Sequence, residues 1–151
     1  MRIQSKTEQE LRDAMQSAAR PRKEISREFL VASILPDEII LDPEHRSVLY
    51  RYTLESWMQN CNQVLHGGMV ATLLDLSCGL FVRAWTGCVG CVTSSLQVNY
   101  LKPVNMEQPY YVQVRIESAG RNLSTTYAFA WQGDREDAPC NTASATFFLK
   151  D

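Results

Sequence analysis

Residues 65–82 read Leu-His-Gly-Gly-Met-Val-Ala-Thr-Leu-Leu-Asp-Leu-Ser-Cys-Gly-Leu-Phe-Val, and Asp75 is the only formal charge among them. The stretch has the length of a helix and is otherwise apolar. Burying an unpaired carboxylate costs several kcal/mol. Asp75 therefore needs a partner, access to water, or a chemical use. His66-Gly67-Gly68 lies just upstream, at the mouth of the same predicted helix. Paired glycines at that point let backbone N–H groups face a ligand.

The helix is predicted from Gly67 to about Trp85. Its length is borderline for a membrane span. Asp75 near the middle would cost about 2.5–3.5 kcal/mol on insertion scales, and His66, Gly67 and Gly68 weaken that reading further. The expectation is a helix buried on most sides inside a soluble protein, with no membrane partner.

A chain of 151 residues is the size of one ordinary domain. Apolar residues make up 45% and charged residues 21%, which suits a globular protein with a real core. The net charge of −2 and the lack of a basic block argue against a nucleic-acid partner. Residues 1–30 lack the apolar segment of a secretory signal. The five cysteines are odd in number and unevenly spaced, which fits a reducing cytoplasm better than a disulfide scaffold. Cys88-Val89-Gly90-Cys91 has no second ligand pair beside it in sequence, so it is read as chance, with no metal site.

Thr7-Glu8-Gln9-Glu10 has the form of a capping box. A helix should follow it and stop near Pro21. Ile25, Phe29 and Leu30 suggest a second short helical turn, so residues 1–36 read as a helical extension that packs as a lid or flank. The main domain, residues 37–151, should open with strands at 38–41 and 47–54, joined through Asp42-Pro43-Glu44-His45-Arg46. Strands at 91–101, 110–119, 124–131 and 142–149 follow the long helix. Their period-two patterning predicts antiparallel pairing with one face covered. The fold class is α+β, with a curved antiparallel sheet of about six strands wrapping one long central helix.

These residues resemble a known family. Asn60-Cys61-Asn62-Gln63-Val64-Leu65-His66-Gly67-Gly68 followed by Asp75 is similar to the hotdog-fold acyl-CoA thioesterases. The match is to the phenylacetyl-CoA thioesterase-like branch of the 4-hydroxybenzoyl-CoA thioesterase superfamily. Thr93-Ser94-Ser95-Leu96-Gln97-Val98-Asn99-Tyr100-Leu101-Lys102-Pro103, Gly120-Arg121-Asn122-Leu123 and Ala143-Ser144-Ala145-Thr146-Phe147-Phe148 resemble later segments of that family in the same order. The likeness covers roughly residues 38–150 and departs at two places. Gln63 stands where the family usually has glycine, and Met106-Glu107-Gln108 fills a turn that often carries one.

The resemblance implies hydrolysis of a small to medium or aromatic acyl-CoA without a cofactor. It implies Asp75 as base or nucleophile, and the Gly67 N–H as the donor to the thioester carbonyl oxygen. Asn60 would orient water or thioester, and Thr93 would place a hydroxyl beside the acid. His66 could donate to Asn60 or to the leaving thiolate, but a lone histidine is more often a structural hydrogen-bond partner, and that is the reading taken for it. The residues themselves support part of this. Apolar surroundings penalise a carboxylate's charged form and so strengthen it as a base, and helix-start amides carry the positive end of the dipole. CoA carries phosphates, so cations should edge its site. Arg121, with Asn122 beside it, is the first candidate; Lys102 and Arg83 come after, and Gly68 adds an N–H.

Gly67 and Asp75 are eight residues apart, about 12 Å along one helix. One carbonyl carbon cannot sit near both. If they act together, Asp75 must come from a second subunit across a two-fold axis. A homodimer follows, and the resemblance adds a dimer of dimers. Two other readings use the same residues: a non-catalytic acyl-CoA binding or sensing module, and a dehydratase built on a His–acid pair.

Overall fold

The computed structural model describes residues 6–19, 33–134 and 138–150. Helix α1 (Glu8–Ala19) comes first, then strands β1 (Glu38–Asp42) and β2 (Ser47–Tyr52). A single 3-10 turn (Ser56–Met58) leads to the long helix α2 (Gly67–Thr86). Strands β3 (Val92–Tyr100), β4 (Tyr110–Ala119), β5 (Leu123–Trp131) and β6 (Asn141–Phe148) complete the chain. Each predicted strand of the main domain is present, with ends shifted by one or two residues. The second helical turn expected around Ile25, Phe29 and Leu30 lies outside the described residues.

The six strands form one antiparallel sheet in the order β1-β2-β4-β5-β6-β3. Alternation decides which face meets the helix. Val48, Tyr50 and Tyr52 on β2, Val112, Val114 and Ile116 on β4, and Ala128 and Ala130 on β5 are buried. Ala143, Ala145 and Phe147 do the same on β6, and α2 packs against β3, β4, β5 and β6. Burying a side chain the size of Val or Phe contributes about 1.5–3 kcal/mol, so this layer dominates stability. Two short contacts add direction. The Tyr52 hydroxyl meets Ser77 Oγ on α2 at 2.8 Å, and the Tyr110 hydroxyl donates to Asn141 Oδ1 at 2.8 Å.

Helix α2 has defined ends. His66 is its N-cap, and its ring Nδ1 accepts the Gly68 N–H at 2.9 Å. Gly87 terminates it with φ of 75°, donating its N–H to Arg83 O. That left-handed conformation favours glycine because it carries no Cβ penalty. By length and composition α2 could cross a bilayer, yet 50% of its most apolar window is covered by this chain. The expected burial on most sides is therefore corrected. Val70, Leu73, Leu74, Cys78 and Phe81 face the sheet, while Gly68, Thr72, Asp75 and Gly79 form a strip that stays partly open. The apolar sequence did not reveal this, because the open strip is itself nearly uncharged.

Helix α1 flanks α2. The capping box forms as predicted: Thr7 N–H donates to Glu10 Oε2 at 2.7 Å, and Glu10 N–H donates to Thr7 Oγ1 at 3.2 Å. Leu11 and Met15 are fully buried, and the Lys6 ammonium donates to the Ala84 carbonyl near the end of α2. Burial lowers the Lys6 pKa, with the Glu10 carboxylate opposing that shift.

The strand order leaves β3 at one edge, paired only with β6 among the described residues. Most of β3 is exposed on both faces, including Val92 and Tyr100 at 59% and 55%. Two clefts of about 480 and 400 Å³ lie on the sheet face away from the helix; Arg115 and Tyr127 line both. Neither contains Asp75 or Gly67.

Candidate active site

The predicted site residues fall into two groups at opposite reaches of β3. One is centred on Asp75, midway along the open strip of α2. Thr93 Oγ1 donates to Asp75 Oδ1 at 2.9 Å. A β-bulge makes this possible. Thr93 pairs with Phe147 and Ser95 with Thr146, so Ser94 is an extra residue on β3. Phe147 faces the core, and Thr93 opposite it therefore faces the helix. Bulges re-aim side chains in this way. Asp75 is partly exposed with a hydroxyl partner, so the carboxylate reaches water rather than being sealed in apolar packing.

The Arg121 turn belongs to this group's end of the sheet. Leu123 at the start of β5 pairs with Phe148, which pairs with Val92 at the start of β3. The Asn122 carbonyl accepts the Leu149 N–H at 2.8 Å, which ties the turn to the strand end. The Arg121 and Asn122 side chains are exposed. Cys78, one turn on from Asp75, is fully buried, and burial pushes its thiol up to about 12. It is a packing residue, not a nucleophile.

The second group surrounds the start of α2. Asn60 opens a tight loop. Its Oδ1 accepts the Asn62 N–H at 2.8 Å and the Val64 N–H at 3.4 Å. The Gln63 N–H returns to Asn60 O at 3.0 Å. The Asn60 carboxamide oxygen is thus committed to loop geometry, leaving its NH2 as the group that can face a ligand. Gln63 itself has φ of 61°. That is the left-handed region where glycine is at ease and other residues are strained. The departure at Gln63 therefore keeps the loop's shape at a backbone cost.

His66 N–H donates to Met58 O at 2.9 Å, anchoring the loop to the 3-10 turn. Its ring takes the Gly68 N–H, so the expected pair of free glycine amides is corrected to one. An accepting Nδ1 in a neutral ring places the proton on Nε2. The Gly67 N–H is the first donor of α2 and has no acceptor among the described residues. Lys102 is exposed at this end, where its N–H donates to Cys140 O at 3.0 Å.

One member of this group was absent from the sequence reading. The Tyr100 hydroxyl donates to the Gly67 carbonyl at 2.9 Å. A signal was present, since Tyr100 is a phenol at the far end of the strand that carries Thr93.

The site's residues thus divide into an acid with a hydroxyl and a lone helix-start amide. Residues 62–138 match the family described as the thioesterase superfamily. The chain belongs to the thioesterase superfamily. Its fold is the hotdog fold of that superfamily. A candidate esterase of Saccharolobus solfataricus is 34% identical over 71 residues, which is 47% of this chain and 47% of that protein. The match therefore spans about half the length of that relative. A phenylacetic acid degradation-related candidate thioesterase from Ralstonia eutropha JMP134 is 21% identical, with a TM-score of 0.70 over 90% of this chain and 99% of the other. A hypothetical thioesterase from Streptococcus pneumoniae TIGR4, solved with coenzyme A, is 23% identical, with a TM-score of 0.65 over 75% of this chain and 87% of the other. At these identities the two structures show the shared fold.

Proposed function

We propose that this protein hydrolyses an acyl-CoA thioester as a two-fold dimer. Each site would combine Asp75 and Thr93 of one protomer with the Gly67 N–H of its partner. The observation that carries this reading is the separation of the two groups. Eight residues of α2 span about 12 Å, and Thr93 and Tyr100 lie seven positions apart on β3. Neither group is complete alone.

The exposed edge offers the means of joining them. An unpaired strand edge is a template for another strand. Antiparallel pairing of β3 with a twin β3 about its middle would bring Thr93 opposite the partner's Tyr100. The Arg121 turn of one protomer would then approach the Lys102 end of the other, placing cations of both chains around one CoA. The partly open strip of α2 beside β3 would be covered by the same pairing.

The reaction then has defined parts. Asp75 takes a proton from water as its oxygen attacks the thioester carbon, or the carboxylate attacks directly and water opens the resulting anhydride. The partner's Gly67 N–H stabilises the oxyanion. Collapse of the tetrahedral species breaks the C–S bond, and the CoA thiolate leaves and is protonated. Superfamily membership and the coenzyme A held by the Streptococcus pneumoniae thioesterase structure support the substrate class. The phenylacetic acid degradation-related relative supports an aromatic or small to medium acyl group. All five cysteines are free, which supports a reducing compartment such as the cytoplasm.

The test is free-thiol release from short, medium and aromatic acyl-CoAs, followed by subunit mixing. Asp75→Asn and Gly67→Pro should each be inactive alone. A mixed dimer keeps one site with both intact halves, so random reassortment should restore about a quarter of wild-type activity. No restoration, with heterodimers present, rejects the shared site. Acyl-CoA binding without turnover in the wild type would favour a binding module instead.

A further inference from the structure

The Gly67–Gly68 peptide is held from both sides. Its N–H, on Gly68, is taken by His66 Nδ1 at 2.9 Å, and its C=O, on Gly67, accepts the Tyr100 hydroxyl at 2.9 Å. The first clamp comes from the loop before the helix. The second comes from the end of β3, 33 residues further along the chain. The Tyr100 ring also packs on Gly67, since a Cβ built there would lie 3.5 Å from ring Cε1. A helix start is the part of a helix most prone to fray, because its N–H groups lack intrahelical acceptors. This one is held open, with the Gly67 N–H free and the next peptide fixed.

We propose that Tyr100 is a positioning residue that aims the Gly67 N–H at the reacting carbonyl oxygen. This rests on the thioester-hydrolase reading above. A donor to a developing oxyanion acts only if its direction is set before the reaction. Two hydrogen bonds on the adjacent peptide set it here, and one of them is Tyr100's. The same strand serves both groups of the chain, each of which would belong to a different site of the dimer. Thr93 orients the acid at the start of β3, and Tyr100 orients the amide at its end. Pairing of β3 with its twin would align both hydroxyls in one register.

The test is Tyr100→Phe, which keeps the ring against Gly67 and removes only the hydroxyl. Two readouts are needed. In steady-state kinetics on the best acyl-CoA, kcat should fall about tenfold, the equivalent of one hydrogen bond, with KM within about twofold. In the free protein, the Gly67 and Gly68 amide resonances should move while those of Val48 and Tyr50 on β2, remote from β3 in the sheet, stay in place. Size-exclusion chromatography should show an unchanged oligomer. An unaltered kcat, or a loss carried by KM alone, overturns the proposal. Unmoved Gly67 and Gly68 resonances overturn it as well, whatever the kinetics. A wild type that hydrolyses no thioester would reject the hydrolase reading and the aiming role together. The resonances would then still report whether the hydroxyl clamps the helix start.

Discussion

Thr93 reaches the Asp75 carboxylate across 2.9 Å because β3 carries one extra residue, Ser94, just after it. Counting back by twos from the inward-facing Leu96 would point Ser94 toward the helix and Thr93 away. The bulge reverses that phase. The acid is thus served by a hydroxyl that ideal strand geometry would have withheld.

Asp75→Asn removes the proposed base or nucleophile and keeps the side chain's size. Thiol release should fall at least ~100-fold, the low end for removing acid–base catalysis. Asp75 is partly exposed, so the melting temperature should change little. Thr93→Val should cost less, about tenfold, because it removes one hydrogen bond to the acid. A full-rate Asp75→Asn would contradict the assignment.

Gly67 separates the need for an amide from the need for a glycine. His66 has φ of −62° and ψ of 134°, which suits a residue before proline. Gly67 is the first helical position, where proline is well tolerated. Gly67→Pro should therefore keep the fold and delete only the N–H, lowering kcat by about 10²–10³. Gly67→Ala keeps the N–H, and its Cβ would make ordinary contact with the Tyr100 ring at 3.5 Å. It should retain most activity. Equal losses in both variants would show that the amide is not the donor.

Gln63 holds a φ of 61° in an exposed loop. Gln63→Gly relieves that strain and should raise stability by roughly 0.5–1 kcal/mol, read as a higher urea midpoint at unchanged slope. A lower midpoint would mean that the glutamine side chain makes a compensating contact.

Burial raises the Cys78 thiol from 9.0 to about 12 and lifts Tyr50, Tyr52 and Tyr110 in the same direction. Above pH 9 the unfolded chain releases the Cys78 proton while the folded chain keeps it. The stability that depends on this group is intact below that pH and is lost as pH climbs toward 12. Urea midpoints should be flat in this respect below pH 9 and fall above it, with Cys78→Ala showing a shallower fall. At neutral pH iodoacetamide should label the exposed Cys61 and spare Cys78 in the native protein.

Helix α1 contributes two fully buried residues to the core, Leu11 and Met15. Truncating either to alanine should cost about 2–5 kcal/mol. A loss below ~0.5 kcal/mol would show that α1 is only loosely attached.

The strand order along the sequence, the long helix and the capping box at Thr7 were legible because each rests on local chemistry. Period-two patterning marks β4 and β5, and Thr7 and Glu10 mark the start of α1. The lone acid in α2 was equally plain. Three things were not legible. The half-open strip on α2 carries only small residues and one acid, so composition could not tell how much of the helix stays uncovered. The bulge at Ser94 is a single unpaired residue with no sequence mark of its own in a run of small polar side chains. The capture of the Gly68 amide by His66 and of the Gly67 carbonyl by Tyr100 depends on ring orientation and on a contact across 33 residues, which spacing does not encode.

The placement of acid and amide at opposite reaches of one edge strand bears on how such a protein behaves from synthesis onward. If the site is shared as proposed, a newly made chain would carry every reactive group and still be chemically silent until it met its twin. Specific activity would then decline on dilution, and the cell's supply of chains would set a threshold below which thioesters go untouched.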